Sequence, residues 1–417
     1  MLRKISCAAA AAALLGFGAS SAAAKPILFP TLGKFFAHQD QLAQAEHAAA
    51  TSSIQPPAPP CPENGLLPAP LGNCGLPALP ATGVPLLGNM AYWGGHVQVT
   101  PHVYLVLWGW GEPGAFKAAC SPETFSESLS DGSTQTVTLA CDPDGAGKQM
   151  ADFVSQLGGT PWADVQAQYY QADSAGKQTF ITNPSQQLSG VWADDSNDIT
   201  KLSSTSADNP AGPTNTYTDF ALEAARAVQH FGITDLSNAD IVIAQPQNYS
   251  DPNAAAQGYC AFHDYVEPGF AKGIYNGITP GISYTNMPYV LNQGAGCGTS
   301  DVNAGAAGQL DGFTIALGHE IEETVTDPGA EDIIGGLGSS TLNTTNLGGW
   351  SDPLDADENG DKCAYVGTTP LSGLAGIPAV LPIPGALHNI TGNRGGTFAV
   401  QSLWSNDALG GVGYCAG

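Results

Sequence analysis

The chain has 417 residues, of which 12 are basic and 37 acidic, so its formal net charge at pH 7 is −25. Phosphate contacts need clustered Lys and Arg, and this charge balance therefore argues against nucleic-acid binding and against binding to anionic membrane surfaces. A hydrophobic content of 43% in a chain of this length is enough to bury a large core.

The N-terminus has the parts of a secretory signal peptide. Arg3 and Lys4 form a basic start, residues 5–18 are apolar and rich in Ala, and the small residues 22–24 offer a cleavage site before Lys25. Residues 1–24 are therefore predicted to be removed on export, which places the protein outside the cell or in a periplasm. No other run approaches the roughly 18 apolar residues of a membrane span.

Removal of the signal peptide takes away Cys7 and leaves eight cysteines. An even number in an exported protein predicts disulfides, whose connectivity the sequence leaves open. Pairing of neighbours is the simplest arrangement. It gives Cys61–Cys74, Cys120–Cys141, Cys260–Cys297 and Cys363–Cys415.

The chain divides after the signal peptide into two parts. Residues 25–88 end in a Pro-rich stretch and are predicted to be a propeptide or a Pro-rich linker. The compact part begins near Asn89, and residues 89–417 are predicted to form a single domain of catalytic type.

Hydrophobic patterns in the compact part predict an α/β fold, in which a mixed sheet is flanked by helices. Residues 172–215 show no sustained periodicity, and Trp192 is expected there as an isolated anchor. The predicted strands are 97–99, 103–107, 239–244 and 258–265, and residues 397–406 are predicted to be a closing strand followed by a turn. Residues 282–290 lead, through a Gly-rich loop, into the helix at 311–326. The predicted helices are 150–157, 162–169, 217–232 and 311–326.

The helix at 311–326 carries the strongest chemical signal. Its apolar positions suit a buried helix, Asp311 is the expected N-cap, and Asp327-Pro328-Gly329 is a firm stop. His319 and Glu323 lie four positions apart and so share one face of the helix.

This His-Glu-x-x-Glu pattern is a variant of the zinc-peptidase His-Glu-x-x-His motif. His319 and Glu323 are predicted ligands of Zn²⁺, since zinc accepts a carboxylate, and Glu320 is the predicted general base that works with metal-activated water. The helix would then pack on the sheet as in zincins. The plainer alternative is that residues 320, 322 and 323 form a solvated face and that His319 is a core histidine.

A second acidic cluster follows at 349–363, and three interpretations, which do not exclude one another, stay open for it. In the first, Glu358 or Asp352 supplies the third ligand of the zinc site. In the second, residues 355–360 follow the D-x-D-x-N-G start of a Ca²⁺ loop, although Val366 stands where such a loop ends in Glu. In the third, the cluster is an acidic surface turn. The calcium candidates are Asp355, Asp357, Asn359 and Asp361.

With these pieces in place, residues 91–417 resemble the phosphate-induced, EXORDIUM-like proteins of plants and their secreted bacterial relatives. The resemblance includes His-Glu-x-x-Glu, then Gly-Trp-x-Asp, then Glu-x-Gly-Asp-x-Cys, which the bacterial members share. The motifs that carry it are Tyr92-Trp93-Gly94-Gly95, Cys260-Ala261-Phe262-His263, Asp311-Gly312, His319 to Glu323, Val325-Thr326-Asp327-Pro328, Gly349 to Asp352 and Glu358 to Cys363.

The bacterial members look like metallopeptidases, so the resemblance implies that activity here. The plant members lack the His-Glu pair, which keeps a non-catalytic function open for the fold. The resemblance also draws in His263, because a His follows the Cys in both branches. It implies that His263 is a neighbour of the substrate or the metal, or that it orients its loop.

Two functions follow as expectations. The first is a secreted zinc peptidase that acts on a protein or peptide substrate, with Zn²⁺ held by His319, Glu323 and Glu358 and with Asp352 as a substitute or outer neighbour. His263 as a further ligand would offset the high negative charge of that set. The second is a non-enzymatic extracellular binding protein with structural Ca²⁺, in which exposed aromatics stack on sugars. Those aromatics would be Trp108, Trp110 and Trp192.

Overall fold

The structure is a computed structural model. It describes residues 89–196, 199, 219–252, 254, 259–266, 281–293, 297–328, 348–351, 358–363, 387–411 and 413–417. The predicted signal peptide, the segment 25–88 and the Cys61–Cys74 pair lie outside the described residues. Over the described ranges, no helix combines the length and the apolar character needed to cross a membrane.

Five α-helices lie in the described part of the chain, and four short 3-10 turns accompany them. The predicted helix at 311–326 is confirmed at those bounds. The helices are α1 (Ala146–Leu157), α2 (Asp219–Phe231), α3 (Gly305–Gln309), α4 (Asp311–Thr326) and α5 (Ala408–Gly411). The 3-10 turns are Ala163–Gln168, Gln247–Tyr249, Val290–Asn292 and Asp361–Cys363.

Fifteen strands lie in the same ranges. They are β1 (Ala91–Tyr92), β2 (His102–Trp108), β3 (Glu123–Ser128), β4 (Thr134–Leu139), β5 (Tyr170–Ala172), β6 (Gln178–Phe180), β7 (Leu188–Asp194), β8 (Ala239–Ala244), β9 (Phe262–Val266), β10 (Ile282–Met287), β11 (Trp350–Ser351), β12 (Leu387–Thr391), β13 (Thr397–Gln401), β14 (Leu403–Ser405) and β15 (Tyr414–Ala416).

The main sheet has five strands in the order β7-β2-β8-β10-β9. β7, β2, β8 and β10 run parallel, and β9 pairs antiparallel with β10. The chain passes from β2 to β7 on one side of β2 and then, through α2, to β8 on its other side. The predicted α/β fold with a mixed sheet and flanking helices is confirmed.

Alternate residues of the sheet face two separate cores. Val103, Leu105 and Val242 pack in the core that also contains α1 and α4. Val106 and Ile243 pack in the core that contains α2. Because the parallel strands are covered on both faces, β8 and β10 are buried along their whole length, as is typical of such sheets.

Helix α4 is enclosed on every side, since all of its residues are buried. It packs against α1, β9, β10 and β13. Gly318 allows a close approach of two aromatic rings, because an added Cβ would lie 3.0 Å from Trp162 and 3.1 Å from Phe153. Thr314 Oγ1 donates a hydrogen bond to the carbonyl of Ala399 in β13 over 2.7 Å. These contacts fix the helix against the sheet.

Several local predictions are wrong. Residues 97–99 form no strand, and residues 188–194, expected to lack structure, form β7. Gly190 interrupts the apolar pattern of β7, and it is needed there because a Cβ would lie 2.5 Å from the Phe231 ring. The strand expected at 258–265 begins later, at Phe262. Asp311 lies in the first turn of α4, and its carboxylate accepts the backbone N–H groups of residues 302 and 303 instead of capping the helix.

The three described disulfides confirm neighbour pairing. Cys120–Cys141 closes the β3–β4 hairpin, Cys260–Cys297 joins the start of β9 to the loop before α4, and Cys363–Cys415 ties a short turn to β15. Such bridges fit a secreted protein.

Candidate metal centre

The second half of α4 carries three ionisable side chains into one place. His319, Glu320 and Glu323 are all 0% exposed. Nε2 of His319 lies 3.1 Å from Oε1 of Glu323, as expected for residues one helical turn apart. A solvated helix face at these positions is excluded. Buried charges of this kind need partners or a bound ion.

His263 reaches the same place from β9. Its strand neighbour Phe262 faces the α2 core, so by strand alternation His263 faces α4. Nδ1 of His263 lies 3.2 Å from Oε2 of Glu320 and 3.6 Å from Oε2 of Glu323. The other ring nitrogen, Nε2, lies 3.4 Å from Oε1 of Glu358. His263 thus stands among three carboxylates.

The segment 358–363 supplies further carboxylates to the centre. Glu358 is 3% exposed, and Oδ1 of Asp361 lies 3.6 Å from Nε2 of His319. Residues of β13 and β14 hold this segment in place. The carbonyl of Gly360 accepts a hydrogen bond from the Gln401 side chain over 2.7 Å, and the carbonyl of Asn359 accepts one from the backbone of β14. The disulfide of Cys363 anchors its end.

Gly360 lies directly against His319 and Glu323, two of the candidate ligands. A Cβ at this position would stand 2.7 Å from Nδ1 of His319 and 2.8 Å from Oε1 of Glu323. The backbone N–H of Asp361 donates to the same Glu323 oxygen over 2.8 Å. Only glycine lets the backbone come this close, so the residue sets the distance between the acidic segment and α4.

The donors form two groups that can hold a metal ion. His263, Glu323 and Glu358 offer atoms that all lie within 4.8 Å of one another, and so do His319, Glu320 and Glu323. Tetrahedral zinc with bonds of 2.0–2.2 Å places neighbouring donor atoms about 3.3–3.6 Å apart. Two of the separations found here, 3.4 Å and 3.6 Å, fall in that range, and the third, 3.1 Å, lies just below it.

Electrostatics also favour a cation. Burial raises the pKa of Glu323 well above its ordinary value, and the negative charges of Glu358 and Glu320 raise it further. Behind the centre, burial raises the pKa of Asp240 to about 7, an effect that His263 opposes. A divalent cation would reverse this repulsion, because it stabilises every neighbouring carboxylate.

Most of the predicted ligands meet, though in a different arrangement. Glu358 groups with His263 and Glu323, and not directly with His319. Asp352, Asp355 and Asp357 lie outside the described residues.

Asn359 and Asp361, the two calcium candidates among the described residues, do not face a common point. The Asn359 side chain donates to Gln166, whereas Asp361 faces His319. The proposed sugar platform is wrong for Trp108 and Trp110, which are 2% and 1% exposed. Trp192 is half-buried in β7, where its ring stacks on His230.

Two supporting residues escaped the sequence analysis. Asp240 and Thr285 lie behind His263 on the face of the sheet that meets α4, and Thr285 pairs with His263 across the strands. Thr285 Oγ1 donates to the Asp240 carboxylate over 3.3 Å. A signal was available, since Asp240 is the one charged residue in the apolar run of β8.

Comparison of the chain with profiles of known protein families, with curated proteins and with solved structures finds no match to any of them. The resemblance to EXORDIUM-like proteins therefore stays a prediction, and the function is argued from the centre itself.

Proposed function

We propose that the protein is a secreted, metal-dependent peptidase, with Zn²⁺ as the expected cation. One observation carries the proposal. Glu320 is buried without exposure at a point where it contacts His263 and groups with His319 and Glu323. A carboxylate in this position can accept a proton next to a cation, which is the arrangement of a hydrolase.

The roles of the residues follow from their positions. His263, Glu323 and Glu358 would hold the cation, which supplies a positive charge that polarises the scissile carbonyl. Glu320 would take a proton from the attacking water as its oxygen bonds to the carbonyl carbon. The same proton would then pass to the leaving amine nitrogen as the C–N bond breaks, so that water is added across the peptide bond.

Two considerations support a peptide as the substrate. The His-Glu-x-x-Glu spacing of residues 319–323 is close to the motif of zinc peptidases, and it lies on a buried helix that packs against the main sheet. The suggested likeness to bacterial EXORDIUM-like metallopeptidases points the same way.

The proposal is tested by digestion of casein with the purified, exported protein and its Glu320→Gln variant. We expect the variant to keep its cation, because Glu320 is not among the three proposed ligands, and to lose cleavage by about 10²–10⁴-fold. Metal content and product release are measured on the same samples.

Glu322→Gln is the matched control. Glu322 lies on the same helix and is equally buried, but its carboxylate interacts with Gln166 and is not part of either donor group. The Glu322→Gln variant should therefore cleave casein as wild type does. A wild-type protein that carries a cation and leaves casein intact, or a Glu320→Gln variant that cleaves at the wild-type rate, contradicts the proposal.

A further inference from the structure

We propose that the centre holds two divalent cations, with Glu323 as the bridge between them. This inference deepens the proposed function and rests on it for the chemistry that the pair would perform. It follows from how the donors are distributed around Glu323, from their charge, and from the position of Glu320.

The donors around Glu323 divide into two sets, each with one histidine and one carboxylate of the segment 358–363. One set is His263 with Glu358, and the other is His319 with Asp361. In each set, one histidine faces one oxygen of Glu323: Nε2 of His319 lies 3.1 Å from Oε1, and Nδ1 of His263 lies 3.6 Å from Oε2. Each histidine also faces a carboxylate of the acidic segment. Asp361 lies 3.6 Å from Nε2 of His319, the nitrogen that faces Glu323, whereas Glu358 lies 3.4 Å from the other ring nitrogen of His263, Nε2. Single donor atoms of His263, Glu323 and Glu358 still lie within 4.8 Å of one another. A carboxylate that turns its two oxygens toward two separate histidines is positioned to bind two ions.

The charge of the centre agrees with two ions. Four carboxylates, those of Glu320, Glu323, Glu358 and Asp361, meet around two histidines. No Lys or Arg in the described residues pairs with Glu320 or Glu323. One divalent cation would leave two negative charges buried, which is costly in a medium of low dielectric constant. Two divalent cations match the four carboxylates.

Two carboxylate oxygens of the centre also favour bound ions. Oε1 of Glu320 and Oε2 of Glu323 are buried and accept no hydrogen bond from the described chain. Buried carboxylate oxygens are normally satisfied, so these two indicate a missing partner. Glu320 reaches both sets, because it contacts His263 and groups with His319. From there it can serve as the base for a water held between two ions, which lie about 3.5–4 Å apart in two-metal hydrolases.

The donor chemistry suggests which ions fit. Carboxylates dominate and no thiolate is present in either set, which favours Zn²⁺ or Mn²⁺ over soft ions such as Cu⁺. Asp361 is the most exposed donor, at 13% of its side chain. Its set should therefore exchange its ion more readily than the set of His263, so the two ions are expected to differ in affinity.

The test counts ions without reference to activity. The exported protein is stripped with a chelator, reloaded with Zn²⁺ and weighed by native mass spectrometry. We expect about two ions for wild type and about one for Asp361→Asn. Asp164→Asn, which removes an exposed carboxylate that belongs to neither donor group, is the control and should bind as wild type does. Reloading with Mn²⁺ adds a measurement that needs no variant, because a bridged Mn²⁺ pair gives a spin-coupled electron paramagnetic resonance spectrum.

Two ions in wild type, with one lost in Asp361→Asn and a coupled Mn²⁺ spectrum, support the inference. One ion in both proteins, with an uncoupled spectrum, overturns it. The casein assay separates this result from the proposed function. Cleavage with a single ion would leave the peptidase standing and remove the pair, whereas two ions without cleavage would leave the pair standing and remove the peptidase.

Discussion

At the scale of single residues, Gly360 decides how the centre closes. The acidic segment approaches α4 through this glycine, and a side chain there would contact the imidazole of His319 and the carboxylate of Glu323. The residue carries no functional group, yet it sets the spacing of groups on two separate parts of the chain.

Gly360→Ala is therefore expected to weaken metal binding. The added Cβ, 2.7 Å from Nδ1 of His319, must push the segment or the ring away, and displaced ligands typically cost 10–100-fold in affinity. Competition with a chromogenic chelator measures the change. Gly396→Ala is the control, since its Cβ would crowd Phe398 at 2.6 Å, outside the donor groups. Equal losses in both variants would contradict a specific role for Gly360.

A second buried carboxyl pair lies on the other face of the sheet, where Glu223 of α2 and Asp194 of β7 are 0% and 1% exposed. Burial raises the pKa of Glu223 from 4.5 to about 8, Asp194 adds to the rise, and Arg226 opposes it. The native protein thus keeps a proton that the unfolded chain releases. Binding of this proton by Glu223 stabilises the folded protein. Its contribution to the free energy of unfolding is fully present below about pH 4 and is lost as the pH rises to about 8.

Urea unfolding of wild type and Glu223→Gln checks this sign. From about pH 5 to pH 8, the free energy of unfolding of wild type should fall by about 1–3 kcal/mol relative to the variant, whose amide does not titrate. Parallel curves for the two proteins would show that Glu223 titrates alike in the folded and unfolded chain.

Sequence reasoning was strongest for residues whose contacts are local. His319 and Glu323 could be placed together because helical spacing alone joins them. Glu358 was reached by its acidic neighbourhood, and His263 only by a family likeness. The contact between Asp361 and His319 was missed, because D-x-D-x-N-G spacing assigned Asp361 to calcium and no local rule brings distant residues together.

At the scale of elements, the centre depends on how α4, β9 and the acidic segment are tied. Cys260 lies just before β9, and Cys363 ends the segment that carries Glu358 and Asp361. β9 and the segment 358–363, which both face α4, are thus each fixed by a disulfide close to their candidate ligands.

Removal of the Cys363–Cys415 bridge by a double Ser substitution should lower metal affinity, because the ligand-bearing segment loses its anchor, and should lower the free energy of unfolding by about 2–4 kcal/mol. A chelator competition and a urea titration give the two values. Removal of Cys120–Cys141, in the β3–β4 hairpin, is the matched control and should affect stability alone. Unchanged metal affinity in the first variant would show that hydrogen bonds alone hold the segment.

The pattern of prediction among elements has a physical cause. α4 and β8 were placed correctly because each is a long or strongly apolar run with clear ends. β7 was missed because its sequence, Leu-Ser-Gly-Val-Trp-Ala-Asp, mixes small and polar residues. Its strand conformation comes from pairing with β2, which the local sequence does not record.

At the scale of the whole molecule, one sheet separates two environments. The α2 side is a mainly apolar core, whereas the α4 side combines an apolar core with the donors at the β10–β9 end. The fold class followed from the alternation of strands and helices. The centre did not follow in full, since its residues come from 263, 319–323 and 358–361 and meet only once the sheet and its helices have assembled.

The disulfide at Cys363 has a consequence for where the proposed metal centre would take up its ions. Disulfides form in oxidising compartments and not in a reducing cytoplasm. The segment with Glu358 and Asp361 gains its covalent anchor when Cys363 joins Cys415, so in an exported chain this anchor forms after translocation. For the proposed metal centre, the supply of ions outside the cytoplasm, and not the cytoplasmic pool, would then determine which metal is bound.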